Sequence, residues 1–166
     1  MTDITIRLLD ADDAADFRDM RLAALKAHPE AFGADYEQES KRSLTDNMER
    51  LERDHFFGAF DGSKLVGIIG LILYEGAKMQ HSGKIISMYV APSHRGKKVG
   101  DQLIEVLCNA AKEQVEQLYL ACTTVNTQAK ALYERNGFVT YGTEPRIMKV
   151  GDTYYDEYLM MKKLTP

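Results

Sequence analysis

The sequence has little cysteine. Among its 166 residues only Cys108 and Cys122 occur, each inside an apolar periodic segment. Two such thiols make no disulfide framework and suit buried side chains in a reducing compartment, so a cytoplasmic protein is expected. Basic blocks are lacking as well. The net charge of −4 is spread along the chain, and no cluster of Lys and Arg stands ready to neutralise a row of phosphates, which leaves nucleic-acid binding without electrostatic support. No segment approaches the roughly 18 apolar residues of a membrane span. The opening Met1-Thr2-Asp3 leads into no apolar stretch of signal-peptide length, so neither a membrane partner nor a leader is expected. Internal repeats, linkers and low-complexity segments are also missing. A chain of this length buries one sizeable core, and a single domain over 1–166 is expected. Its partner should be small, or a basic or amine-bearing group.

What is present is an ordered alternation of hydrophobic periods. Ile4, Ile6 and Leu8 alternate with polar neighbours as in a half-buried strand, and Asp10 supplies a helix cap. A helix follows to about His28. One face of it carries Ala14, Phe17, Ala24 and Leu25, yet Arg21 and His28 project into the same sector. Either the Arg snorkels and the His sits at an edge, or this face borders a polar substrate cleft. Residues 30–42 show no clean period after Pro29. A shorter helix is expected at 43–53, then strands at His55–Phe60 and Leu65–Tyr74 around the Asp61-Gly62 turn. A third strand reads at Ile85–Val90, a helix from Val99 to about Glu116, a strand at Leu118–Val125 and a helix at Asn126–Asn136 stopped by Gly137. Strands at Phe138–Met148 and Thr153–Lys163 meet at Gly151-Asp152. The pattern predicts an α/β chain with a central mixed sheet of about seven strands and about four helices. Ile85–Val90 and Leu118–Val125 should be parallel, joined by a crossover helix, and the flanking hairpins antiparallel.

Between the third strand and its helix lies His94-Arg95-Gly96-Lys97-Lys98-Val99-Gly100. A glycine-containing strand-to-helix turn exposes backbone N–H groups at a helix N-terminus, where the macrodipole favours a phosphate oxygen. Arg95, Lys97 and Lys98 add cationic charge, and Gly100 removes a Cβ from the first helical turn. No Gly-Lys-Ser/Thr follows, so this is not a nucleotide P-loop. The bland alternative is a solvated basic turn.

The run Val90-x-Pro92-x-x-Arg95-Gly96-x-x-Val99-Gly100 resembles the coenzyme A-binding motif of the GNAT acetyltransferases, with Lys98 where that family usually carries its middle Gly. Downstream, Asn126-x-x-Ala129-x-x-Leu132-Tyr133-x-x-x-Gly137-Phe138 resembles the family's second hallmark. Asn126 and Tyr133, seven residues apart, fall on one helix face. The resemblance implies a GNAT-type acyl-CoA N-acyltransferase fold and transfer of acetyl from acetyl-CoA to an amine, a small molecule or a peptide N-terminus. It implies cofactor contacts from Met88, Tyr89, Val90, Arg95, Gly96, Lys97, Lys98, Val99, Gly100, Asp101, Asn126 and Tyr133. Within these, an oxyanion donor near Met88, strand-like pairing of Val90 with the pantetheine arm at a sheet that splays after Val90, and Tyr133 as general acid to the departing thiolate are expected, with Asn126 fixing the cofactor.

In some members a carboxylate before Met88 serves as base, but Lys84 and Ser87 occupy that stretch here. Glu75, Glu144, Asp156 and Glu157 are the remaining candidates, each reading first as a surface charge. His81 and His94 lack a second ligand at metal spacing and read as surface histidines, so no metal is expected. Cys122 reads as a buried small hydrophobe rather than an acyl-carrying nucleophile. Tyr154, Tyr155 and Tyr158 alternate faces along the last strand; they either reflect simple strand propensity or line an acceptor pocket or the edge of a homodimer. The rival function is a non-catalytic coenzyme A-binding or sensing module, which would not need Tyr133.

Overall fold

The computed structural model describes residues 3–166; Met1 and Thr2, on which the expectation of no leader partly rests, lie outside them. Seven strands form one sheet in the order β1-β2-β3-β4-β5-β7-β6. They are β1 (Ile4–Leu8), β2 (His55–Asp61), β3 (Lys64–Leu73), β4 (Ser82–Val90), β5 (Gln117–Thr123), β6 (Val139–Val150) and β7 (Thr153–Lys163). Five α-helices accompany them: α1 (Ala14–Ala27), α2 (Tyr36–Ser40), α3 (Leu44–Arg53), α4 (Val99–Ala111) and α5 (Thr127–Arg135). The pair β4–β5 is parallel and connected through α4, and the neighbouring pairs are antiparallel.

Alternation along the strands sends side chains to two cores, one on each face. Ile69, Ile85, Leu118 and Leu120 pack with Leu103 and Leu107 of α4. On the opposite face Ile68, Phe56 and Tyr89 pack with Phe17 of α1 and Leu51 of α3. Asp10 caps the 3-10 turn that leads into α1 through a reciprocal box with Asp13, and Ser43 does the same for α3 with Asp46. Inward residues of α1 are Ala14, Phe17, Arg21, Ala24 and Leu25, all buried.

Several boundaries differ from the sequence reading. Leu8 is 50% exposed, and Leu9 takes the core position instead, its N–H bonded to Phe56 O. The aperiodic stretch 30–42 contains a single helical turn, α2, capped by Asp35. Helix α4 stops at Ala111 rather than near Glu116, because Glu116 is recruited to the sheet: its N–H donates to His81 O and its carbonyl accepts from Leu164 N–H.

The feature that makes a site is a gap in the sheet. Pairing of β4 with β5 ends at Lys84↔Tyr119, so the two strands diverge along Ile85–Val90 itself, not after Val90 as the sequence reading had it. On the other side of β4, Gly70 faces Ile86 and Ile68 faces Tyr89, so Ser87 and Met88 together stand opposite Ile69. Ser87 takes φ +57°. This is a β-bulge, which bends the strand, frees backbone groups from the ladder and increases local twist.

Candidate active site

The gap between β4 and β5 is a cleft of about 530 Å³, a volume within the range of small-molecule sites. One wall is β4 from Ile85 to Val90, and the other is β5 from Leu120 to Thr123. Thr123 Oγ1 donates to Glu30 O at 2.8 Å, which ties the turn after α1 across the cleft, where His28, Ala31 and Phe32 complete the lining. Of the twelve residues expected to contact the cofactor, Lys97 alone does not line this cleft; the loop, the strand and the α5 residues converge on it.

The loop opening α4 has the backbone the motif requires. Gly96 stands at φ +74° with open space where a Cβ would go, and Lys98 at φ +61° occupies the left-handed region despite its side chain. No side chain caps α4, so its first-turn N–H groups keep their capacity to bind an anion. Gly100, which borders the cleft, also has a packing role: a Cβ there would meet Met88 Cε at 3.0 Å and Leu132 Cδ2 at 3.1 Å. Its small size lets α4 lie against β4 and α5.

Arg95, Asp101 and His94 around the loop already have partners. Arg95 Nε donates to Val90 O at 3.1 Å, and its guanidinium lies 5.5 Å from the centre of the Tyr89 ring and near His28. Val90 O is therefore engaged by protein where a pantetheine arm would pair. Asp101 binds Arg135 through two bonds, 2.8 and 3.0 Å, and accepts from Asn136 Nδ2 at 2.9 Å. The Arg135 hydrogen bond first, then that from Asn136, holds the Asp101 carboxyl below the usual range. Its role is to lock α4 to α5 at the cleft mouth. His94 is not the surface histidine expected; it is 7% exposed. Its Nε2 is 2.8 Å from Asp61 Oδ2 and its Nδ1 2.8 Å from Ser93 Oγ, so it pins the loop to the β2–β3 turn.

On α5, Asn126 Oδ1 accepts the Ala129 N–H at 3.2 Å as the helix cap, while the residue lines the cleft. Tyr133 is 7% exposed, borders the cleft and meets Phe138 edge-on at 5.9 Å between ring centres. Burial, then Cys122, pushes the phenol pKa up, so Tyr133 keeps its proton through neutral and mildly alkaline pH. The Cys122 thiol is pushed up to about 11 by burial, then by Glu157, which leaves it protonated and non-nucleophilic.

Among the acids considered for base, Glu75 and Glu144 are exposed and Asp156 Oδ1 accepts the Arg146 N–H. Glu157 differs: burial raises its pKa, with Lys84 opposing. It stands across from Thr123 on the face of the sheet that Lys84 shares, though outside the cleft lining. Tyr154 and Tyr155 do not line the cleft; Tyr154 packs beneath Arg146 and Lys149. Among the described residues no group of three His, Cys, Asp or Glu side chains could hold a metal ion, and no helix is long and apolar enough to cross a membrane.

The contact between Arg21 and Ser87 escaped the sequence reading. Arg21 Nη1 donates to Ser87 Oγ at 2.6 Å across 66 positions of sequence. The polar interruption of the α1 face was the one available signal: Arg21 does not snorkel to solvent but reaches Ser87 on the strand that walls the cleft, without lining the cleft itself.

Comparison with known proteins bears on the family and the fold. The acetyltransferase (GNAT) family profile matches residues 19–138. No curated protein matches the chain in sequence. Among solved structures, a GNAT-family acetyltransferase from Streptococcus pneumoniae superposes with a TM-score of 0.87 at 21% identity, covering 97% of this chain and 99% of that one. yncA from Salmonella typhimurium, solved with its cofactor acetyl-CoA, gives 0.87 at 17% identity, covering 99% and 96%. The ribosomal-protein-alanine N-acetyltransferase from Brucella melitensis gives 0.79 at 22%, covering 96% and 99%.

Proposed function

The chain belongs to the acetyltransferase (GNAT) family, and from that premise we propose that it acts as a single domain that transfers acetyl from acetyl-CoA directly to an amine. The observation that carries the proposal is the splayed, bulged cleft: an uncapped helix N-terminus borders the same cleft as a buried, protonated Tyr133. The amides of Gly96–Gly100 hold the diphosphate, with Arg95 released from Val90 O as the pantetheine arm pairs with β4. The amine attacks the thioester carbonyl, a backbone N–H at the Ser87–Met88 bulge donates to the oxyanion, and Tyr133 gives its proton to the departing thiolate. Asn126 orients the arm with the amide that its cap leaves free.

Removal of the amine proton is the remaining task. Glu157 is the favoured acceptor among the acids, through water, because burial makes it the stronger base. A weakly basic acceptor needs less help. An α-amine near pKa 7.8 is deprotonated at pH 7 for about 1 kcal/mol, against about 4.6 for an alkyl amine near 10.4. The acceptor class is therefore an α-amine, of a small molecule or a peptide N-terminus. A homodimer is expected along β6, an edge strand that exposes Val139, Tyr141 and Ile147, and sedimentation velocity checks it.

Thiol release from acetyl-CoA in the presence of a panel of amines tests the reading. Tyr133→Phe should lose about a hundredfold or more in turnover and keep cofactor affinity. A coenzyme A sensor would show no amine-dependent release and no effect of the substitution.

A further inference from the structure

Ser87, at φ +57°, holds a backbone conformation that is strained for a non-glycine residue, and something must keep it there. The ladder does not: neither Ser87 nor Met88 is in register with a residue of β3, and β5 has diverged by this point. Among the described residues the one side-chain bond to Ser87 comes from Arg21 Nη1, at 2.6 Å.

Arg21 is itself firmly held. It is 6% exposed on the inward face of α1, and its Nη2 lies 3.4 Å from Glu39 Oε1. Glu39 is also buried, and Arg50 of α3 and Arg42 after α2 approach the same carboxylate at 3.3 and 3.5 Å. Arg50 in turn lies against the Phe56 and Phe17 rings. One carboxylate thus anchors three guanidinium groups from three segments, and the Arg21 side chain is strung from that anchor to the bulge. Burying such a cation is costly unless it is paired. Its Nε has no partner among the described residues, so the arrangement is poor as a simple stabilising device. It makes sense as a tether.

We propose that Arg21 is a positioning residue for acetyl transfer: by gripping Ser87 Oγ it holds the β4 bulge, and with it the Met88 backbone N–H, in the orientation that meets the acetyl carbonyl. Arg21 touches neither substrate. The inference rests on the acetyltransferase reading above, and it links the α2–α3 segment to the oxyanion position.

A double-mutant cycle tests it. Arg21→Met removes the guanidinium and leaves Glu39 with Arg42 and Arg50. Turnover should fall between about tenfold and a hundredfold, as for a displaced oxyanion donor, with the KM for acetyl-CoA within about twofold because the diphosphate loop is untouched. Glycine tolerates φ +57° without a tether, so in a Ser87→Gly background the same Arg21→Met change should cost less than about threefold. Ser87→Ala, which leaves every charged member of the Glu39 cluster in the chain, should reproduce the loss if Arg21→Met does not fold. Amide hydrogen exchange at Met88, a readout independent of activity, should quicken in Arg21→Met and not further in Arg21→Met/Ser87→Gly than in Ser87→Gly alone. An equal cost of Arg21→Met in both backgrounds, or unchanged turnover and exchange, overturns the proposal. Failure of the parent protein to turn over with any amine would instead sink the acetyltransferase reading, and the exchange data would still decide the tether.

Discussion

Gly96 and Lys98, two residues apart in the loop that opens α4, both stand in the left-handed region, at φ +74° and +61°. A glycine there is relaxed and a lysine is not. Lys98→Gly should therefore raise the unfolding free energy by up to about 1 kcal/mol, offset in part by the greater freedom of the unfolded chain. Gly96→Ala, with no atom within 4 Å of the new Cβ, should lower it by about 1 kcal/mol through backbone strain alone. Urea denaturation of both variants checks the pair, and shifts of the same sign would contradict the backbone account.

The Asp101–Arg135–Asn136 lock predicts a pH signature. The folded Asp101 pKa is depressed, so the stabilisation is complete above the ordinary carboxylate pKa of about 3.9 and is lost as pH falls through the lower folded value. Asp101→Asn should melt below the parent at pH 7, and the gap should close below pH 4. A gap that persists unchanged at acid pH would show that the carboxylate's charge is not what α4 and α5 share.

Cys122 borders the cleft with a thiol pKa pushed up to about 11 by burial, then Glu157. The folded protein should resist iodoacetamide at pH 7–9, with alkylation at this position rising only as pH nears that value. Mass spectrometry of tryptic peptides reads the outcome. Fast labelling at pH 7 would point to a thiolate and reopen a covalent acetyl route.

Acceptor preference follows from what stands beside the bulge. Lys84 and Ser87 occupy the strand before Met88 and Ser87 is engaged by Arg21, so β4 carries no carboxylate beside its bulge. Substrates with α-amines should outperform long polyamines in kcat/KM at pH 7. Superior turnover of spermine-like acceptors would show that a strong base operates in the cleft.

The seven strands and four of the five helices were legible because each repeats its hydrophobic period for several residues. Helix α2 was not: five residues carry too little period, and its buried Glu39 is fixed by Arg21, Arg42 and Arg50. The two motifs located the cleft because each is local, a strand end running into a helix. What eluded the sequence is non-local. His94 is held by Asp61, 33 residues away, and Arg21 reaches Ser87 across 66 positions. The start of the splay at Lys84 is set by pairing across the whole β4-α4-β5 crossover. Composition along a single segment carries no trace of such partners.

Calorimetric titration of the protein with acetyl-CoA tests the central claim most directly. One molecule should bind per chain, saturably and with micromolar affinity or near it, about −8 kcal/mol. Absence of saturable binding at millimolar acetyl-CoA would contradict the assignment of the β4–β5 cleft to that substrate.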